Sequence, residues 1–310
     1  MRFLAIDPVI ETGDSMPAIN ILDCPKKMFR WTRQQQANGE LVGVVPTMGA
    51  LHEGHLSLVE AARARCEKVV VTIFVNPTQF GPNEDYERYP RTLQKDVGLL
   101  SDLGVDCVFA PSKEDMYPQG SSTTVAPPAV ATMLEGECRP EHFGGVCTIV
   151  LKLLQIIPAD LACFGQKDFQ QALVIRNMVR DLNLPTQVAI CPIKRELDGL
   201  AMSSRNVYLD AGERKRALSL VQALRQVPEA IGQGIKDTGL IETRMKEFLR
   251  PFVDRIDYAV VVDSETLECL EAVDRTVVGL IAAYIGKTRL IDNCVVSVAG
   301  ETDLLIESNR

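Results

Sequence analysis

His52-Glu53-Gly54-His55 carries two of the three histidines in a chain of 310 residues. The pair closes the run Pro46-Thr47-Met48-Gly49-Ala50-Leu51-His52-Glu53-Gly54-His55, which follows the apolar Leu41-Val42-Gly43-Val44-Val45 and precedes a helix-forming stretch from Leu56 to Ala64. The imidazoles are therefore expected at a strand-to-helix turn, where free backbone N–H groups and the helix dipole attract anions. Gly54 would let a polyphosphate approach the backbone, and the imidazoles would donate hydrogen bonds to charge developing on phosphorus-bound oxygens. Two surface histidines that merely cap a helix would give no reason for concentrating so scarce a residue here. The pattern points to phosphate chemistry.

Further clusters fit that chemistry. In Asn76-Pro77-Thr78-Gln79-Phe80-Gly81, Pro77 removes a donor and stops the preceding strand. The amides of Asn76 and Gln79 are left at its tip, able to orient a hydroxyl and a carboxylate without acting as nucleophiles. In Gly165-Gln166-Lys167-Asp168-Phe169-Gln170-Gln171, Lys167 offers a compact charge for a phosphate. Asp168 could accept from a ribose hydroxyl or cap the helix, and Gln171 follows one turn later on nearly the same side. Met202-Ser203-Ser204-Arg205 supplies two hydroxyls and a guanidinium on a glycine-bearing loop, suited to closing over β- and γ-phosphates. No GxxxxGK[ST] is present, which excludes the P-loop route to ATP, and no GxGxxG follows a strand, which argues against NAD or FAD. Serine-nucleophile chemistry lacks its GxSxG, and His142 is the only histidine left over.

The elements that must carry these clusters alternate. Strands are expected at Leu41–Val45, Val69–Val75, Asp106–Ala110, Leu161–Phe164 and Thr186–Cys191. Helices are expected from about Gly54 and over Leu93–Leu103, Val146–Ile157 and Phe169–Leu182. Such alternation predicts an α/β fold, a Rossmann-like parallel sheet with helices on both faces, binding its ligands beyond the carboxyl ends of the strands. After Asp198 the pattern changes to helices at Ala211–Arg225 and Leu240–Arg250, then strands at Tyr258–Val262, Thr276–Ile285 and Cys294–Val298. This predicts a smaller C-terminal α+β lid domain. The expected organisation is an N-terminal extension over 1–18, a catalytic domain over 19–193 and the lid over 194–310, with the loop from Arg195 to Arg205 as hinge.

Composition narrows the function classes. A net charge of -8 without a block of Lys or Arg argues against nucleic-acid binding. Nine cysteines, scattered singly and odd in number, argue against a disulfide framework and for a reducing, cytoplasmic setting. The N-terminus reads as neither a secretory signal nor a transit peptide, and no apolar run is long enough for a membrane span.

The segments PTMGALHEGH, IFVNPTQFGPNEDYERYPRT, EGECRPEHFGGVCTIVLKLLQI, FGQKDFQQALVIRNMVRDLNLP and DGLAMSSRNVYL together resemble the pantothenate synthetase (pantoate–β-alanine ligase) family of the HxGH nucleotidyltransferase superfamily, from about Ile19 onward. The resemblance implies a two-step reaction. The carboxylate of (R)-pantoate attacks the α-phosphate of ATP to give pantoyl adenylate and pyrophosphate, and the amine of β-alanine then displaces AMP. It implies that Met48, Gly49, Ala50, Leu51, His52, Glu53, Gly54 and His55 line the ATP site, with His52, His55 and Lys167 catalytic and His55 the proton donor. Gly165, Gln166, Lys167 and Asp168 would hold ribose and phosphate. Lys194 would stand beside the adenine, and Met202, Ser203, Ser204 and Arg205 would close over the polyphosphate. Gln79 and Gln171 would hold pantoate, Gln79 would border β-alanine, and Asn76 and Tyr89 would lie nearby. A homodimer is implied, as is Mg²⁺ with no protein ligand: Lys95 in Leu93-Gln94-Lys95-Asp96 breaks an acidic pair that some relatives carry.

Other readings fit less well. A nucleotidyltransferase acting on a phosphate acceptor would need more cations than the Asn-Pro-Thr-Gln segment provides. A non-enzymatic nucleotide sensor would be expected to have lost a histidine or Lys167, and a tRNA-charging enzyme would need a basic anticodon-binding region.

Overall fold

Runs dominated by valine and isoleucine form the centre of a six-stranded parallel sheet in the computed structural model, which describes residues 19–304 except Asn83 and Asp85. The strands are β1 (Asn20–Leu22), β2 (Val42–Thr47), β3 (Lys68–Ile73), β4 (Cys107–Phe109), β5 (Leu161–Gly165) and β6 (Gln187–Cys191). Between them run α1 (Pro25–Ala37), α2 (Glu53–Arg63), α3 (Leu93–Asp102), the short α4 (Lys113–Met116) and α5 (Glu135–Cys138), α6 (His142–Ile156) and α7 (Phe169–Asp181).

Alternate residues of each strand serve opposite helical layers, as a period of two requires. Val42, Val44 and Val70 pack with Met28 of α1, Phe143 and Val146 of α6 and Leu173 of α7. Val45, Val69 and Val71 pack with Leu58, Val59 and Ala62 of α2 and Leu100 of α3. The spatial order is β1-β4-β3-β2-β5-β6. The chain therefore builds outward from β2 in one direction through β3 and β4, then returns to lay β5 and β6 on the other side. The point of reversal lies between β2 and β5, and that is where an open α/β sheet leaves a crevice at its carboxyl edge.

The remaining chain forms α8 (Ala211–Ala217), α9 (Ser219–Gly232) and α10 (Thr238–Leu249), then β7 (Arg255–Asp263), β8 (Val277–Ile285) and β9 (Thr288–Val296) in an antiparallel sheet ordered β7-β8-β9. Val277, Ile281, Ala283 and Ile285 of β8 pack with α9 and α10 residues such as Leu224 and Met245. Val278 and Leu280 of the same strand join the core of the parallel sheet. Both faces of the small sheet are thus covered.

Several boundaries differ from expectation. α6 begins at His142, so the Glu-His-Phe-Gly-Gly segment opens a helix. The single helix expected over Ala211–Arg225 breaks at Leu218. β9 starts at Thr288 rather than Cys294, and β1 has no counterpart among the expected strands. The extension expected over 1–18 lies outside the described residues. Among those described, no helix is long and apolar enough to cross a membrane.

Candidate active site

β2 delivers the histidine turn to the crevice. Gly49 and Ala50 both take positive φ, +83° and +51°, so the chain doubles back sharply before the helix. A Cβ at Gly49 would lie 3.0 Å from Ile73 Cγ2 and 3.1 Å from Asp96 Oδ2, so both its conformation and its contacts call for glycine. The buried Asp96 of α3 holds the turn: its Oδ2 accepts from Ala50 N–H at 3.0 Å and its Oδ1 from Leu51 N–H at 2.9 Å. Gly49 N–H donates to Thr47 Oγ1 at 3.1 Å.

The same backbone sets the imidazoles. His52 is the N-cap of α2, its Nδ1 accepting from Gly54 N–H at 3.1 Å, while His55 Nδ1 accepts from His52 N–H at 3.4 Å. With Nδ1 an acceptor in each, the neutral rings carry their proton on Nε2. The ring centroids are 4.1 Å apart at 42°. Burial, then His52 and the Lys167 charge, push His55 down to about 3, against the opposing pull of Asp168. His52 is lowered by burial and then by Lys167. Both rings are therefore neutral donors at neutral pH. The expectation of free backbone donors needs correction, because the amides of Gly49, Ala50, Leu51 and Gly54 are already taken. The two Nε2–H groups and the Lys167 ammonium are the side-chain donors that remain beside this turn.

The amide cluster is layered. Asn76 is 1% exposed, and its Oδ1 accepts from Tyr117 Oη at 2.8 Å and Thr78 Oγ1 at 3.0 Å. Its Nδ2 donates to Gln79 Oε1 at 3.1 Å and Gly145 O at 3.2 Å. With both ends occupied, Asn76 fixes the orientation of the Gln79 amide. Gln79 Nε2 lies 3.1 Å from Met48 Sδ, which links this cluster to the histidine turn. His142, pushed down to about 4 chiefly by burial and then by Arg139, donates from Nδ1 to Gln79 O at 2.8 Å. Tyr89 is buried, its ring edge-on to Phe80 with centroids 6.1 Å apart.

β5 delivers the second turn. Lys167 and Asp168 enter a cleft of about 1090 Å³ whose walls also include Gln171, Ser203, Arg205 and Arg289. The histidine pair is not in the lining of that cleft; it joins it through Lys167 and Asp168, whose charges act on both rings. Gln166 is only 8% exposed, its Nε2 donating to Asn293 Oδ1 at 3.1 Å and to Asp303, so its side chain braces the turn instead of facing the cleft. Met202 comes back over the histidines: its Cβ would lie 3.6 Å from a Cβ at Gly54. Ser203 Oγ accepts from Arg205 N–H at 3.2 Å and starts a 3-10 turn at Ser204. Lys194 and Glu53 are exposed, Lys194 contributing its carbonyl to Met202 N–H at 3.0 Å. Sequence reasoning does not single out Asp96, Gly145 or Asn293 as site residues. The glycine pair in Glu-His-Phe-Gly-Gly is a local signal for Gly145, and the acidic pair broken by Lys95 is one for Asp96.

The histidine turn, the lysine turn and the returning loop thus converge at one switch point, and a family model for pantoate-β-alanine ligase matches residues 20–295. The chain belongs to the pantoate-β-alanine ligase family. A pantothenate synthetase of Thermotoga neapolitana is 52% identical over 279 residues, covering 89% of this chain and 99% of that protein. One from Rhodopirellula baltica is 51% identical over 275 residues, covering 88% and 97%. The crystal structure of pantothenate synthetase from Thermus thermophilus superposes with a TM-score of 0.85 at 44% identity, covering 90% of this chain and 99% of that one. A pantoate-β-alanine ligase from Francisella tularensis, complexed with beta-gamma ATP and β-alanine, gives 0.73 at 37% identity, covering 89% and 97%. The family's ligase activity, and with it the Rossmann-like architecture read from the sequence, is that of this chain.

Proposed function

We propose that the crevice between β2 and β5 activates pantoate as its adenylate and then passes the acyl group to β-alanine. What supports this reading is that the histidine and lysine turns leave the carboxyl ends of adjacent strands, the Lys167 charge acting on both neutral imidazoles, with the Asn76–Gln79 amides adjoining through Met48. ATP is the nucleotide substrate, in keeping with the Francisella complex.

In the first step a pantoate oxygen bonds to the α-phosphorus and the bond to the bridging oxygen of pyrophosphate breaks. Negative charge grows on the phosphoryl oxygens, where His52 and His55 donate from Nε2 and Lys167 supplies a fixed positive charge. Neutral imidazoles do this without first losing a proton. Gln79 and Gln171 hold pantoate, Gln79 also bordering β-alanine, and Ser203, Ser204 and Arg205 close over the leaving pyrophosphate. In the second step the β-alanine nitrogen bonds to the acyl carbon, AMP departs and the amine loses a proton. No protein nucleophile is required in either step.

Mg²⁺ would be held mainly by the nucleotide's phosphate oxygens and water, offsetting their negative charge. Both Asp96 oxygens serve backbone amides, so its carboxylate braces the histidine turn. We take 19–193 as the catalytic domain and 194–310 as the lid, in a cytoplasmic homodimer without nucleic-acid or membrane partners.

Incubation with ATP, Mg²⁺, pantoate and β-alanine, each omitted in turn, tests the reading. Pyrophosphate release should need pantoate but not β-alanine, and AMP release should need both. Pyrophosphate formed without pantoate would overturn the adenylate route.

A further inference from the structure

Asp292 and Asn293 are adjacent on β9, so their side chains leave opposite faces of one strand. Asn293, 1% exposed, points to the parallel-sheet core. Its Nδ2 donates to Gln166 O at 2.9 Å and Lys167 O at 3.0 Å, and its Oδ1 accepts from Gln166 Nε2 at 3.1 Å. One amide thus makes three hydrogen bonds to the turn that carries Lys167, two of them to backbone carbonyls. Asp292, 3% exposed, forms a two-pronged pair with Arg195, at 2.7 and 3.0 Å. Arg195 also donates to Gly199 O at 3.2 Å, and its bridge to Ala201 closes the loop that delivers Met202 to Arg205. Asn293 N–H donates to Asp292 Oδ1 at 2.8 Å, tying the two anchors together.

We propose that Asp292 and Asn293 form a positioning pair that fixes the lysine turn and the Met202–Arg205 loop relative to each other, so that both phosphate-facing segments take their placement from one strand of the lid sheet. The proposal rests on the assignment of Lys167 and that loop to the triphosphate. Both residues border the cleft, but their side-chain polar atoms are engaged by Arg195, Gln166 and Lys167, so each acts through the segment it holds. The physical ground is that buried, fully paired polar groups admit few alternative arrangements. A displacement of about 1 Å at a reacting group can cost about 10²-fold in rate.

The test separates the half-reactions. Pantoate-dependent exchange of pyrophosphate into ATP reports adenylation, and prepared pantoyl adenylate with β-alanine reports amide formation. Asn293→Ala should lower kcat/KM for exchange about 10²-fold while amide formation at saturating adenylate and the folded fraction hold. Equal loss in both half-reactions, or undiminished exchange, would overturn the proposal. Should Asn293→Ala not fold, Asp292→Asn, which keeps the side-chain shape and loses the charge, must show the same selective loss. Lys167→Ala is run alongside. If it loses exchange while a folded Asn293→Ala does not, only the coupling falls; if Lys167→Ala exchanges normally, the residue assignment and the proposal fall together.

Discussion

Asn76 Nδ2 donates to Gln79 Oε1 at 3.1 Å, so the orientation of the more accessible amide is set by the buried one. With its oxygen engaged, Gln79 keeps Nε2 available beside Met48. Asn76→Ala should lower kcat/KM for pantoate about tenfold, the worth of one such hydrogen bond, and leave KM for ATP nearly unchanged. Steady-state kinetics with each substrate varied checks this; an equal effect on ATP would place Asn76 in general scaffolding.

His55→Ala and Lys167→Ala should each lower the adenylation rate about 10²-fold or more with the fold preserved. Pyrophosphate exchange and circular dichroism together provide the measurement. Ordinary exchange in either variant would remove that residue from the mechanism.

Stability should fall in mild acid. His55 and His142 are held down to about 3 and about 4 in the folded chain, and His52 is lowered as well. An unfolded imidazole titrates near 6.5, so between about pH 6.5 and 4 the unfolded chain binds more protons and stability drops as pH falls. Thermal unfolding from pH 7.5 to 4.5 should show the decline, and His142→Gln should make it shallower. An identical slope in the variant would mean His142 is not depressed.

Close backbone approach at Gly145 of α6 explains the second glycine of the Glu-His-Phe-Gly-Gly segment. A Cβ there would meet Thr78 O at 2.2 Å and Gln79 N at 2.7 Å, inside backbone that cannot yield cheaply. Gly145→Ala should cost about 1–3 kcal/mol of stability and raise KM for pantoate more than KM for ATP, because the Gln79 turn must move. Chemical denaturation with kinetics on the folded fraction decides it; equal KM values would show that the turn absorbs the methyl.

How much of this is legible from residues alone follows from where the interactions run. Val69–Val71 declares a two-sided buried strand because every side chain is apolar, and the histidine and lysine turns are visible because chemistry and strand end coincide locally. The sequence reading shortens β9 because Arg289, Asp292 and Asn293 look like a polar loop. They are paired with Glu135, Arg195 and Gln166, partners remote in sequence. The pairing of Asn76 with Tyr117 and Gly145 is not legible from the sequence because it depends on tertiary contacts. Asp96 looks like half of a broken metal site for the same reason: only the fold reveals that Ala50 and Leu51 use both its oxygens.

The alternation along β8 has a mechanical consequence. Neighbouring side chains of that strand are shared out between two hydrophobic cores, Val278 and Leu280 to one, Ile281 and Ala283 to the other. Melting either core strips partners from the same strand, so the two sheets are expected to lose order cooperatively, as one calorimetric event with matching van't Hoff and measured enthalpies. Two resolved transitions would mean that the shared strand does not couple them.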